Sequence, residues 1–137
     1  VGTMGVMQRT ILIVEDSHAY ASTLEIAIAQ IAGVEVAQAR GGRDAVAYLQ
    51  GPLGGRVRAV ITDLQMPCLD GIELAAELLK INAALPVVLT SAAMFQMPSE
   101  KLQRLGIRDF LTKPWDREQL FSVLRQVLPN TRSEESR

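Results

Sequence analysis

The apolar run Ile11-Leu12-Ile13-Val14 stops without transition at Glu15-Asp16, and that break constrains the fold more than any other feature. A strand that is apolar at consecutive positions is covered on both faces, as in a parallel sheet. Two acids directly after it then stand at the strand's carboxyl end. The pattern recurs along the chain. Val34–Ala39 reads as a strand, as does Ala59-Val60-Ile61-Thr62, which runs into Asp63. Pro86 opens Val87-Val88-Leu89-Thr90, and Ile107–Thr112 is the last strand.

Amphipathic stretches separate these runs. Asp16 or Ser17 caps a first helix, in which Tyr20, Leu24, Ile28 and Ile31 recur at helical spacing before Gly33 closes it. A second helix spans 43–50, between Gly41-Gly42 and Gly51-Pro52. A third follows the loop around Met66-Pro67, with Ile72, Ala75, Ala76 and Leu79 on one face. Pro98-Ser99-Glu100 opens a fourth, with Leu102 and Leu105 inward and Gly106 as its stop. The fifth, over 116–128, turns Leu120, Leu124 and Val127 to the core. Five strands alternating with five helices imply βαβ crossovers and a parallel sheet covered on both faces. A chain of 137 residues, 48% hydrophobic, fits one such domain.

In open α/β sheets, ligands bind outside the carboxyl ends of the strands. The residues there are Glu15-Asp16 after the first strand, Asp63 after the third, Thr90-Ser91 after the fourth and Lys113 after the fifth. Three adjacent carboxylates resist ionising together. A hard divalent cation with oxygen ligands, Mg²⁺, relieves that repulsion. A cation and a lysine beside a carboxylate suit attack on a phosphoryl group, giving an acyl phosphate on an aspartate nucleophile.

The run Asp63-Leu64-Gln65-Met66-Pro67-Cys68-Leu69-Asp70-Gly71 resembles the phosphoacceptor signature of response-regulator receivers. Four further features match the family in place: the acidic pair Glu15-Asp16, Ser91-Ala92 closing the fourth strand, Phe110 three residues before Lys113-Pro114, and Gly106 before the last strand. The resemblance covers about 11–128. It implies a flavodoxin-like (βα)5 sheet in strand order 2-1-3-4-5 and a receiver domain over 10–129. It also implies phosphorylation of Asp63 by a sensor histidine kinase or histidine phosphotransfer protein. Asp16, Asp63 and the Gln65 backbone carbonyl would ligate Mg²⁺, with Glu15 acting more through bound water. Asp63, Ser91 and Lys113 would serve the transfer. Ser91 and Phe110 would form the switch, and the Lys113-Pro114 bond would be cis. The chain departs from the commoner pattern in Glu15 for Asp, Ser91 for Thr, Phe110 for Tyr and Trp115 for Phe, none of which removes a functional group.

The resemblance further implies a cytoplasmic signalling domain that promotes only its own phosphorylation and dephosphorylation. A homodimer through the fourth helix, fifth strand and fifth helix is a candidate assembly. A net charge of −1 offers no cationic surplus for nucleic acid. One cysteine, Cys68, forms no disulfide framework, and no apolar run spans a membrane. Residues 1–9 are expected to be a disordered or vector-derived start, Met4 and Met7 both being candidate initiators, and 130–137 a polar tail or the start of a linker.

Several residues also have plainer readings. Glu15-Asp16 alone would pass for a helix cap, and Lys113 alone for a solvated charge. His18 reads as solvent-facing and Cys68 as an exposed loop thiol. A Mg²⁺-dependent phosphohydrolase using an aspartyl phosphate would carry a second Asp where Gln65 stands. A pseudo-receiver would lack Asp63 or Lys113. A receiver fragment of a larger regulator or hybrid kinase, without its output domain, fits every residue above.

Overall fold

In a computed structural model that describes residues 9–92 and 98–128, the elements follow in the order β1 (Arg9–Val14), α1 (His18–Ile28), β2 (Val34–Ala39), α2 (Gly42–Gln50), β3 (Val57–Asp63), α3 (Gly71–Ile81), β4 (Val87–Ser91), α4 (Ser99–Arg104), β5 (Ile107–Thr112) and α5 (Arg117–Val127). A 3₁₀ turn, Gly54–Arg56, precedes β3. The segment 130–137 and all of 1–9 except Arg9 lie outside the described residues, and Arg9 is the first residue of β1.

The five strands form one parallel sheet in the order β2-β1-β3-β4-β5, the topology implied by the resemblance. Because side chains alternate along a strand, the sheet divides the core in two. Leu12, Val14, Val60 and Leu89 pack with Ala45 and Leu49 of α2 and with Leu74, Ala75 and Leu78 of α3. Ile11, Ile13, Ile61, Val88 and Leu111 pack with Ala21, Leu24 and Ile28 of α1 and with Leu120, Leu124 and Val127 of α5. Each fully buried Leu or Ile contributes about 1.5–3 kcal/mol through removal of apolar surface from water. Covering both sides of β1, β3 and β4 explains why their sequences are continuously apolar.

Two helices keep part of the buried face that their periodicity suggests, Leu24 and Ile28 in α1 and Ala75 in α3, but are turned slightly from it. In α1 the buried residues are Ala21, Leu24 and Ile28, while Tyr20 is 45% exposed. Ser17, not Asp16, caps this helix, and it ends at Ile28, short of Gly33, with Ile31 half-buried in the turn beyond. In α3 the buried face is Gly71, Leu74, Ala75 and Leu78, while Ile72, Ala76 and Leu79 are only half-buried. Apolar residues cover a wide arc of that helix opposite Glu73, Glu77 and Lys80, so periodicity alone leaves its rotation within that arc open. Gly71 sets it. A Cβ there would lie 2.6 Å from the Asp63 carbonyl oxygen and 3.0 Å from Leu64 Cα, so only glycine lets the helix start this close to the end of β3. The residues that follow at i+3, i+4 and i+7 then face inward. Asp70 anchors that start through a reciprocal capping box with Glu73.

Candidate functional site

The chemistry-bearing residues emerge at one edge because parallel strands all end there. Glu15 follows β1, and its amide donates to the Ala39 carbonyl at 3.0 Å, which holds it beside the end of β2. Asp63 is the last residue of β3 and pairs in register with Thr90. The next amide, of Leu64, donates to the Thr90 carbonyl at 2.9 Å. Ser91 ends β4 and is buried. Lys113 follows β5, and its amide donates to the Ser91 carbonyl at 2.9 Å. The Lys113-Pro114 bond is cis, as the resemblance implied.

Lys113 is the hub. Its Nζ lies 2.9 Å from Glu15 Oε1 and 3.2 Å from Asp63 Oδ2, with only 11% of its side chain exposed. Asp63 Oδ1 accepts from the Gln65 amide at 3.3 Å, and Glu15 Oε2 from the Ser17 amide at 3.0 Å. Burial raises the Glu15 carboxyl above its ordinary value. Lys113 and the Ser17 amide partly offset this, and the negative charge of Asp63 adds to the rise. Burial alone would lower Lys113, but its hydrogen bonds to Glu15 and Asp63 and the charges of both carboxylates outweigh it, so Lys113 is raised and stays an ammonium.

Asp16 completes the group. One carboxylate oxygen from each of Glu15, Asp16 and Asp63 lies within 4.8 Å of the others, two of the residues buried and Asp16 exposed. Three carboxylates against one ammonium leave the cluster negative by two charges when all are ionised. The donor set is all oxygen and open on the Asp16 side, which fits a hard divalent cation that retains water.

The remaining predicted residues lie around this centre. Gln65 is exposed and its backbone reaches Asp63. Phe110 sits opposite Leu89 in the sheet, half-buried, and packs on the α2–α3 side of the core. His18 is exposed, with Nε2 3.4 Å from Ser22 Oγ, and is not among the groups that converge. Cys68 is exposed, at a left-handed φ of 72°. Periodicity placed Tyr20 in the core; instead its ring lies against Lys113, the Nζ 4.3 Å from its centroid. No local signal reveals that contact, because the two residues are distant in sequence and meet only through the sheet.

The chain matches the family described as response regulator receiver domain over residues 11–125. It is 32% identical over 123 residues to the response regulator MprA of Mycolicibacterium vanbaalenii, covering 88% of this chain and 51% of that protein. It is 29% identical over 125 residues to the peroxide stress-activated histidine kinase mak3 of Schizosaccharomyces pombe, covering 88% of this chain and 5% of that kinase. The chain thus spans at most about half the length of these two relatives. The solved chemotaxis protein CheY4 of Vibrio cholerae superposes with a TM-score of 0.76 at 26% identity, over 88% of this chain and 99% of that one.

Proposed function

The chain belongs to the response-regulator receiver family, and from that premise we propose that it receives a phosphoryl group on Asp63 and changes shape in response. The observation that carries this reading is the Asp63 carboxylate held 3.2 Å from the Lys113 ammonium beside the carboxylates of Glu15 and Asp16.

An Asp63 oxygen attacks the phosphorus of a phosphohistidine on a sensor kinase or phosphotransfer protein. A P–O bond forms as the P–N bond breaks, and its electron pair leaves with the imidazole. Lys113 exchanges its contact with Asp63 Oδ2 for an oxygen of the arriving group and balances its charge. The Ser91 hydroxyl donates to another. Glu15, Asp16, Asp63 and the Gln65 carbonyl would hold Mg²⁺. Bound there, the metal supplies positive charge against the phosphoryl oxygens.

Ser91 is drawn toward the phosphoryl group, and Phe110 turns into the space it leaves. These contacts exist only in the phosphorylated form and so favour it. The α4–β5–α5 surface changes and is read by a partner or by a second copy of the domain. The domain, over 10–129, acts in the cytoplasm, on its own phosphorylation state and no other substrate, and contacts neither nucleic acid nor membrane. Likeness to a far longer histidine kinase and to a regulator about twice as long favours a second reading, in which this receiver is one part of a longer protein.

The test is incubation with Mg²⁺ and acetyl phosphate followed by intact mass, beside Asp63→Asn. One phosphoryl gained by the wild type, and lost in the variant and without Mg²⁺, is the expected result. No gain, together with no binding of beryllofluoride, leaves a pseudo-receiver.

A further inference from the structure

An ammonium on a four-carbon stem is mobile and has three N–H bonds to direct. Around Lys113 two of them meet Glu15 Oε1 and Asp63 Oδ2. The Tyr20 ring occupies a further side, its centroid 4.3 Å from Nζ. That distance is within range for attraction between a cation and the negative face of an aromatic ring. Tyr20 is 45% exposed yet Lys113 keeps only 11% of its side-chain surface, so the ring stands among the groups that separate the ammonium from bulk water.

The placement of Tyr20 depends on the same carboxylate that holds the lysine. Glu15 Oε1 takes the ammonium and Oε2 takes the Ser17 amide. Ser17 in turn caps α1 by accepting from the Tyr20 amide at 3.5 Å. Glu15 therefore fixes both the cation and the first turn of the helix that carries the ring.

We infer that Tyr20 is a positioning residue for phosphoryl transfer, its ring face holding the Lys113 ammonium over Asp63. This rests on the reading of Asp63 as phosphoacceptor. During transfer Lys113 gives up Asp63 Oδ2 for a phosphoryl oxygen, and Glu15 and the ring are then what keeps it from swinging into solvent.

The test compares Tyr20→Leu and Tyr20→Phe with the wild type by two readouts. One is the rate of Asp63 phosphorylation by acetyl phosphate at saturating Mg²⁺, with Mg²⁺ affinity followed by the fluorescence of Trp115. The other, independent of phosphorylation, is the rate of reductive methylation of Lys113, read by peptide mass. Tyr20→Leu is expected to phosphorylate about two- to five-fold more slowly, to bind Mg²⁺ as before, and to methylate faster by a similar factor. Tyr20→Phe, which keeps the ring, recovers both. A Leu variant equal to the wild type in both readouts overturns the assignment, as does a Phe variant as impaired as Leu. A wild type that gains no phosphoryl group and binds no beryllofluoride sinks the reading of Asp63 instead, and the methylation rates then still decide whether Tyr20 holds Lys113.

Discussion

Lys113 Nζ donates to Glu15 Oε1 at 2.9 Å across a sequence separation of 98 residues, so the first and last strands share one buried charge pair at the mouth of the sheet. The same ammonium reaches Asp63 Oδ2 at 3.2 Å, so among the described residues Lys113 is the cation that bridges the proposed nucleophile and its neighbouring acid.

Lys113→Met keeps the stem and removes the charge. Loss of one pre-placed electrostatic group in a water-poor site costs about 10²–10³ in rate. The initial rate of phosphoryl gain on Asp63, followed by intact mass, should fall by at least about a hundred-fold. A drop under ten-fold would assign the charge balance to the metal alone.

Glu15 gives the metal-free protein a pH dependence of definite sign. Its folded value is raised above the ordinary 4.5, so between those two values the folded state binds more protons than the unfolded one. Stability from this group is present below the ordinary value and is lost as pH rises through the raised one. Melting curves in EDTA should show that decline just above pH 4.5, Glu15→Gln should flatten it, and Mg²⁺ should offset it. A Glu15→Gln variant with the wild-type slope would assign the effect to another group.

Gly71→Ala adds a methyl group 2.6 Å from the Asp63 carbonyl oxygen and 3.0 Å from Leu64 Cα. Both neighbours are backbone and cannot rotate aside. Overpacking of this kind costs about 1–3 kcal/mol, measurable by urea unfolding, and phosphorylation should slow because Asp63 must move. An unchanged midpoint and rate would mean that α3 shifts freely.

Asp70→Ala removes the capping oxygen that accepts from the Glu73 amide at 2.8 Å. Urea unfolding should show a loss of about 1 kcal/mol. A variant as stable as the wild type would show that water replaces the cap without cost.

Most of the architecture was legible because continuous apolar strands and punctuating glycines and prolines are local signals. Ile11-Leu12-Ile13-Val14 has to be covered on two sides wherever it sits, and Gly106 takes the left-handed φ of 76° that its place before β5 requires. The strand-end rule then gathers Glu15, Asp16, Asp63 and Lys113 without knowledge of any distance. Helix rotation was less legible. In α3 it follows from contact between Gly71 and the Asp63 carbonyl, and in α1 from Tyr20 turning to Lys113, just beyond β5. Both depend on neighbours that periodicity within one helix does not contain.

The alternation along β5 sends Phe110 to one half of the core and Leu111 to the other. In the proposed switch, a displacement beginning at Phe110 loads the α2–α3 half first, together with α4, whose Leu102 packs on that half, while α1 stays seated against Ile11 and Ile13. In that proposal the α1 side of the sheet works as an anvil and the α4–β5–α5 end as the moving part. Mutations that loosen the anvil should cost folding, and mutations on the moving side should shift the balance between the two shapes, so the protein keeps its durability and its responsiveness in different residues.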